Sequence, residues 1–334
     1  MAVIKVIIQI PCFNEEGTLG ITLSDLPRSL PGVDVVEWLV IDDGSTDRTV
    51  DVARQHRVDH IVSLPRHQGL ARAFMAGLHG ALDAGADIIV TTDADNQYCA
   101  GDIGKIVAPV LAGSAEMVVG ARPIAEIGHF SRPKKLLQRL GSWVVRVTSG
   151  ADVADAPSGF RAISRAAALR FNVFNDYSYT LETIIQAGLK NMAVISVPVR
   201  VNPDLRPSRL VTGVATYVWR SVRIIGRIFV IYQPLRFFVI LGSVPFVAGL
   251  CLLLRWLVLF LFFLVPGRTW LPSLVVAAIL LLTGIQLFVF GLLADLVAVN
   301  RLLIEDLQQA MRRLGREPRG DRERRGDHDP TVRP

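Results

Sequence analysis

The stretch VTTDADNQY, Val90 to Tyr98, sets Asp93 and Asp95 one residue apart at the end of an apolar run. Two other runs end in the same way: VEWLVIDDGSTD brings Asp42 and Asp43, and VIKVIIQIPCFNEE brings Asn14 and Glu15. Carboxylates gathered at ligand-facing strand ends repel one another unless a cation or a donor-rich ligand compensates them. A hard divalent cation that keeps part of its water shell, together with a diphosphate, does so with only one or two protein carboxylates. On this reading Asp95 is the stronger metal ligand, with Gln97 in support, while Asp93 can reach a ribose hydroxyl instead. The ordinary role of an Asp-x-Asp pair is a solvated turn. Its place at the end of DIIV, beside Asp42 and Asp43, favours a ligand site. Asp43-Gly44 is good turn chemistry and Ser45, Thr46 or Asp47 a good helix cap, which leaves Asp42 to accept hydrogen bonds from a base edge or sugar hydroxyls.

These residues need elements that bring them to one place. Five short apolar runs, VIKVIIQI, VEWLVIDD, DHIVSL, ADIIVTTDAD and AEMVVGAR, read as strands buried on both faces. Helices are expected over 16–29, 47–56 and 69–84; in the third, Ala71, Phe74, Met75, Leu78 and Leu82 recur at helical spacing and Gly85 follows as a stop. Strand alternating with helix predicts an open, mostly parallel sheet with helices on both faces, and ligands outside the carboxyl ends of its strands. Beyond residue 121 the pattern is less regular. RPKKLLQRLGSWVVRVTSG suggests a basic helix, DAPSGFRAISR a turn followed by a helix start, YTLETIIQAGLKN a helix and AVISVPVRV a strand.

Several chemistries lack their residues. No GxGxxG follows the first strand and no GxxxxGK[ST] occurs, so the phosphate-cradling glycines of dinucleotide and P-loop sites are missing. PSGFR does not have the spacing of a nucleophile elbow. Cys12, Cys99 and Cys251 are far apart and form neither a disulfide framework nor a zinc pattern, which suits a reducing cytosolic location for most of the chain. The histidines show no ligand pair on a helix.

The 334 residues carry a formal net charge of +6 and are 51% hydrophobic, and the apolar excess lies near the C-terminal end. Two segments, 237–258 and 271–294, are long enough at ~1.5 Å per residue to cross a bilayer. Before them, residues 210–235 read as an amphipathic helix with Arg220, Arg223 and Arg227 for an anionic membrane surface. Arginines outside the pair (Arg236, Arg301, Arg312, Arg313), set against Arg255 and Arg268 around the connecting loop, place both termini in the cytoplasm. After residue 315 the charged, Pro-containing tail reads as disordered.

In order along the chain, PCFNEE, DDGSTD, GLARAFMAGLHGAL, DADNQY, SGFRAISR and RPSRL, then a basic helix and an apolar hairpin, resemble membrane-bound family 2 glycosyltransferases of the polyprenyl-phosphate group. Dolichol-phosphate mannose synthases and undecaprenyl-phosphate glucosyltransferases belong to that group. The resemblance implies a GT-A catalytic domain over 1–209, an interface helix over 210–235, two transmembrane helices within 236–300 and a tail over 301–334. It implies an inverting transfer of one sugar from a UDP- or GDP-sugar to polyprenyl or dolichyl phosphate, with Mg²⁺ or Mn²⁺, at the cytoplasmic membrane. No nucleic acid partner is implied, and a homo-oligomer is allowed. Carried over by motif, Pro11, Asn14, Glu15, Asp42 and Asp43 line the nucleotide-sugar pocket. Asp93, Asp95 and Gln97 hold ribose, metal and diphosphate, and Arg122 lies near the donor phosphates. Asp155 stands on the acceptor side, as a base or as a group that orients its neighbours. Arg206, Ser208 and Arg209 receive the lipid phosphate. Two other readings are a processive family 2 synthase, which would bring more membrane helices and a QxxRW signature, and a non-catalytic membrane scaffold on the same fold.

Overall fold

The computed structural model describes residues 3–123, 146, 150, 153–173, 179–203, 226–227, 230–262 and 271–316. Seven strands form one sheet: β1 (Lys5–Cys12), β2 (Val35–Asp42), β3 (His60–Ser63), β4 (Ile88–Thr91), β5 (Met117–Ala121), β6 (Arg161–Ser164) and β7 (Val194–Pro198). Their order is β3-β2-β1-β4-β6-β5-β7. All run parallel except β6, which is antiparallel to both neighbours. Seven of the eight residues of β1 and all four of β4 are buried, as continuous apolar strands covered on both faces must be.

The covering helices are α1 (Leu19–Asp25), α2 (Thr49–Gln55), α3 (Leu70–Asp83), α4 (Ile103–Leu111, entered through a 3₁₀ turn, Ala100–Asp102), α5 (Arg165–Ala168) and α6 (Tyr179–Leu189). In α3 the expected stripe is in place: Ala71, Phe74, Leu78 and Leu82 are buried, while Met75 is half-buried. Gly85 follows with φ +82°, a conformation that ends a helix at little cost only for glycine.

Several expectations change, beginning with the first helix, which starts at Leu19 and not at Glu16. It stops at Asp25, not near 29, because Leu26 precedes Pro27 and is extended (φ −70°, ψ 136°). The proline ring disfavours helical geometry one residue earlier. In SGFRAISR a strand intervenes before the helix: Arg161–Ala162–Ile163–Ser164 is β6, and only then does the Ser164 hydroxyl cap α5 by accepting from Ala167 N.

By internal contacts the chain divides into two units, Met1–Val222 with Gln308–Pro334, and Arg223–Leu307. The second unit holds most of two long helices, α7 (Pro234–Phe262) and α8 (Leu271–Arg316). Pro234–Leu261 and Leu271–Asn300 both have mean hydropathy 2.5 and are long and apolar enough to cross a membrane. They pack through small residues: a Cβ on Gly284 would stand 2.7 Å from Phe246 Cβ and 3.0 Å from the Gly242 carbonyl. One heptad away, a Cβ on Gly249 would stand 3.0 Å from the Ala277 carbonyl. Such spacing lets helix backbones approach closely where the surroundings offer no hydrophobic drive. The second helix does not end near 294. It continues to Arg316 in a single piece of ~69 Å, more than twice a hydrocarbon core. Most of the expected interface helix (210–225, 228–229), the basic segment 132–145 and the tail from 317 lie outside the described residues.

Candidate active site

Because β1, β2, β4 and β5 are parallel, their carboxyl ends share one edge, and β6 begins at that edge with Arg161 opposite Thr91. The loop after β1 is laced to the loop after β2. Asn14, held at φ +54°, donates its N–H to Ser45 Oγ (3.0 Å), and its Oδ1 accepts from Thr46 N (2.8 Å). Glu15 N donates to Thr49 Oγ1 (2.9 Å) while its Oε2 accepts from the Thr18 hydroxyl (2.7 Å). Pro11 and Cys12 are paired in register with Ile41 and Asp42.

Asp42 and Asp43 face different tasks. Asp42 Oδ1 accepts from Ser45 N (2.8 Å), closing the turn. The Asp43 carboxylate is buried and ties down the loop after β3: it accepts from Gln68 N and Gly69 N at 2.8 Å and pairs with His67 Nδ1 at 2.8 Å. His67 in turn stacks on Phe13, with ring centroids 3.9 Å apart. Gly44 (φ +71°) allows this approach, since a Cβ there would be 2.5 Å from the Arg66 carbonyl carbon.

At the end of β4, burial first and the Asp95 carboxylate second push the Asp93 pKa up to about 7. Asp95 Oδ1 accepts from Gln97 N (3.2 Å). The turn preceding β6 closes over Asp93. A Cβ on Gly159 would lie 3.1 and 3.2 Å from the two Asp93 oxygens and 3.1 Å from the Tyr179 hydroxyl oxygen. Tyr98 fastens the same turn, its hydroxyl oxygen accepting from Gly159 N (3.0 Å) and its ring stacking on Phe160.

Arg122, just past β5, is paired with Asp155. Its Nε and Nη2 donate to Oδ2 (2.7 Å) and Oδ1 (3.1 Å), a bidentate pair. Burial alone would lower the Arg122 pKa; Tyr98, Asp155 and Asp93 more than offset it, so the guanidinium stays charged. Arg161 is fully buried, and its Nε and Nη2 donate to the carbonyls of Ser158 and Ala156 at 2.9 Å, its Nη1 to Thr183 Oγ1. Burial lowers its pKa to about 10, against the opposing pull of Tyr179, Tyr98, Asp155 and Asp93, so it is still a cation at neutral pH.

Pro11, Asn14, Glu15, Asp42, Asp43, Asp93, Asp95, Gln97, Arg122 and Asp155 therefore sit in loops or strand ends at this one edge. Arg206, Ser208 and Arg209 lie outside the described residues. Two contributors are not evident from motif reading: Tyr179 and His67. Arg161 stands within SGFRAISR, but the motif does not disclose its complete burial or its carbonyl partners. Among the described residues no three His, Cys, Asp or Glu side chains converge as a protein-only metal cage. A pair of mutually repelling carboxylates, Asp93 and Asp95, with Gln97 two residues on and its backbone N–H on Asp95, fits a hard cation that takes its remaining ligands from phosphate and water.

Comparison with known proteins agrees with this geometry. The family model described as Glycosyl transferase family 2 matches residues 7–178, just over half of the chain. The undecaprenyl-phosphate mannosyltransferase of Micrococcus luteus is 27% identical over 221 residues, 63% of this chain and 89% of that protein. The UDP-N-acetylglucosamine–dolichyl-phosphate N-acetylglucosaminyltransferase of Methanococcus voltae is 27% identical over 215 residues, 57% of this chain and 83% of that protein. Among solved structures, glucosyl-3-phosphoglycerate synthase of Mycobacterium tuberculosis, in complex with Mn²⁺, UDP and phosphoglyceric acid, superposes with TM-score 0.53 at 21% identity, over 67% of this chain and 77% of that one. That likeness gives the sheet and its helices as a GT-A fold.

Proposed function

The chain belongs to glycosyl transferase family 2, and on that premise we propose that it moves one sugar from a nucleotide-sugar donor to a polyprenyl phosphate, with inversion at the anomeric carbon. The observation that carries the reading is the set of carboxylates at the ends of β1, β2 and β4, gathered at the same edge as the buried Arg161 and the half-buried Arg122.

In the reaction an acceptor phosphate oxygen attacks the anomeric carbon from the face opposite the nucleoside diphosphate. The new carbon–oxygen bond forms as the bond to the β-phosphate breaks, and the diphosphate leaves with the electron pair. A phosphate monoester is already anionic at neutral pH, so no strong base is required; bringing two anions together is the harder task. Asp95 and Gln97 would hold a divalent cation, Mg²⁺ or Mn²⁺. When bound, it neutralises charge on the donor diphosphate. Asp93 meets the donor ribose or shares that cation. Asn14, Glu15 and Asp42 shape the nucleoside pocket with Pro11, and Asp43 contributes through the 67–69 loop that it fixes. Arg122 stabilises the departing diphosphate as a preorganised cation. Asp155, engaged by two guanidinium N–H groups, orients Arg122 and does not serve as a base. Arg206, Ser208 and Arg209 take the lipid phosphate. Both apolar helices cross the membrane, with the catalytic domain on the cytoplasmic side.

Purified full-length protein is to be given UDP- and GDP-sugars in turn, polyprenyl phosphate, and Mg²⁺ or Mn²⁺ against EDTA. A lipid-linked sugar formed from one donor class and lost in EDTA is expected. No such product from any donor overturns the reading.

A further inference from the structure

The loop that follows Asp95 is fastened by one residue from a distant part of the chain. Asn202 N donates to the Gln97 carbonyl (2.8 Å), and Asn202 Nδ2 donates to the carbonyls of Asn96 (3.0 Å) and Tyr98 (3.4 Å). Three consecutive carbonyls, 96 to 98, are thus held by the three N–H donors of a single asparagine. The contact sits in a short antiparallel join: Tyr98 bridges Val201, and Cys99 N donates to the Arg200 carbonyl (3.3 Å). Arg200 is itself pinned, its N–H donating to Asp102 Oδ2 (2.7 Å) and its Nη2 to Oδ1 (2.8 Å). On the other side, Asn96 Nδ2 donates to Asp25 Oδ2 (2.8 Å) and its backbone is held in the left-handed region at φ +57°.

We propose that Asn202 is a positioning residue for the cation: it fixes the backbone of the loop from which Asp95 and Gln97 project. The inference rests on the metal-dependent transfer proposed above. Four residues with a left-handed turn among them would otherwise sample many conformations, and ordering them would oppose cation binding each time. An amide at 202 suits this role because it offers two N–H donors to carbonyl acceptors. A carboxylate of the same shape offers none and would repel them. Groups behind metal ligands that hold them in place typically change metal affinity about 10–100-fold when altered.

The test uses the full-length protein and its Asn202→Asp and Asn202→Ala variants, with Mn²⁺ as the probe. Free Mn²⁺ is followed by electron paramagnetic resonance in saturating UDP or GDP, and nucleotide affinity is measured separately in EDTA. For Asn202→Asp the Mn²⁺ dissociation constant should rise about tenfold or more. Asn202→Ala, which keeps the backbone N–H, should rise less. Nucleotide affinity in EDTA should stay within twofold of the unaltered protein, and excess Mn²⁺ should restore the transfer rate. Should Asn202→Asp not fold, Asn202→Ala decides by the same criteria. Mn²⁺ affinity unchanged within twofold overturns the inference, as does an equal loss of metal-free nucleotide binding, which would mark a general structural role. If the unaltered protein binds Mn²⁺ with neither nucleotide, the function reading falls, and this inference with it; a failure confined to the variants leaves that reading standing.

Discussion

Gly159 presses its α-carbon toward Asp93 and the Tyr179 hydroxyl, so the carboxylate is boxed by a backbone that has no side chain to give way. Adding one methyl would force Asp93 or Tyr179 to move by a few tenths of an ångström. Tyr179 is fully buried and stacked on Phe74 at 3.8 Å, so the carboxylate is the part that gives. Gly159→Ala is therefore expected to lower kcat/KM by about tenfold while the thermal midpoint shifts by only a few degrees, since misplacement of a reacting group costs rate before it costs fold. Steady-state kinetics beside thermal unfolding checks it, and wild-type kinetics would remove Gly159 from the site. At this scale the sequence is informative where a residue type is costly without a ligand, as with Asp93 and Asp95 at a strand end. Asp43 is visible in its motif, but its hold on the next loop is not, and Asn202 is silent altogether, because the Gln68 and Gly69 N–H groups, the His67 ring and the 96–98 carbonyls are brought near only by the fold. Arg161 stands inside a motif that is easily seen, but its two carbonyl partners belong to the Ala156–Ser158 turn, whose course is not written in side-chain types.

Among the elements, β1, β2, β4 and β5 are legible because strands buried on both faces are continuously apolar; β3 and β7 are legible from their β-branched residues, although both are only half-buried and β3 is not the fully covered strand expected. β6 is not: four residues opening with Arg161 read as polar, and its antiparallel place between β4 and β5 is a tertiary choice. Helix α8 outruns its expected end for a related reason, since apolarity fades near Asn300 while helical propensity continues through Arg316. The junction of the 3₁₀ turn with the chain leaving β7 depends on Asp102. That buried carboxylate takes Arg200 and Lys105, and although burial alone would raise its pKa, these partners hold it down to about 2 from an ordinary 3.8. A depressed pKa contributes stability that is complete above the unfolded value and is lost as pH falls through the folded one. Asp102→Asn should therefore destabilise the protein by about 2 kcal/mol at pH 7, and the gap should close as pH is lowered from about 4 toward 2. Denaturant unfolding of both proteins across that range is the check; a gap that does not change with pH would mean that the charge contributes nothing.

For the molecule as a whole, a transferase that draws its donor from the cytoplasm and its acceptor from a lipid needs its strand-end edge and its membrane anchor on one side of the bilayer. The two apolar helices are antiparallel neighbours joined through the Gly242–Gly284 seam, so an even number of crossings returns the chain to the side from which it entered. Arg236 stands at the start of α7, and Arg301, Arg312 and Arg313 lie past the apolar part of α8. Against these four, the connecting stretch holds Arg268, with Arg255 one to two turns inside α7, where its stem can reach the interface. On the proposed two-crossing arrangement, positive charge retained on the cytoplasmic side is expected to leave residues 1–233 and 301–334 inside and the 263–270 connection outside. Single cysteines at Thr269 and at Val332 read this out with a membrane-impermeant maleimide, with the native-cysteine background taken from the unsubstituted protein. Thr269→Cys should label in right-side-out vesicles, and Val332→Cys only after inversion. The opposite pattern would put the catalytic domain away from cytoplasmic nucleotide sugars, and labelling of both from one side would mean that the hairpin does not span. Either result would separate the site chemistry, which rests on Asp93, Asp95 and Arg122, from the membrane placement, which rests on helix length and arginine distribution alone.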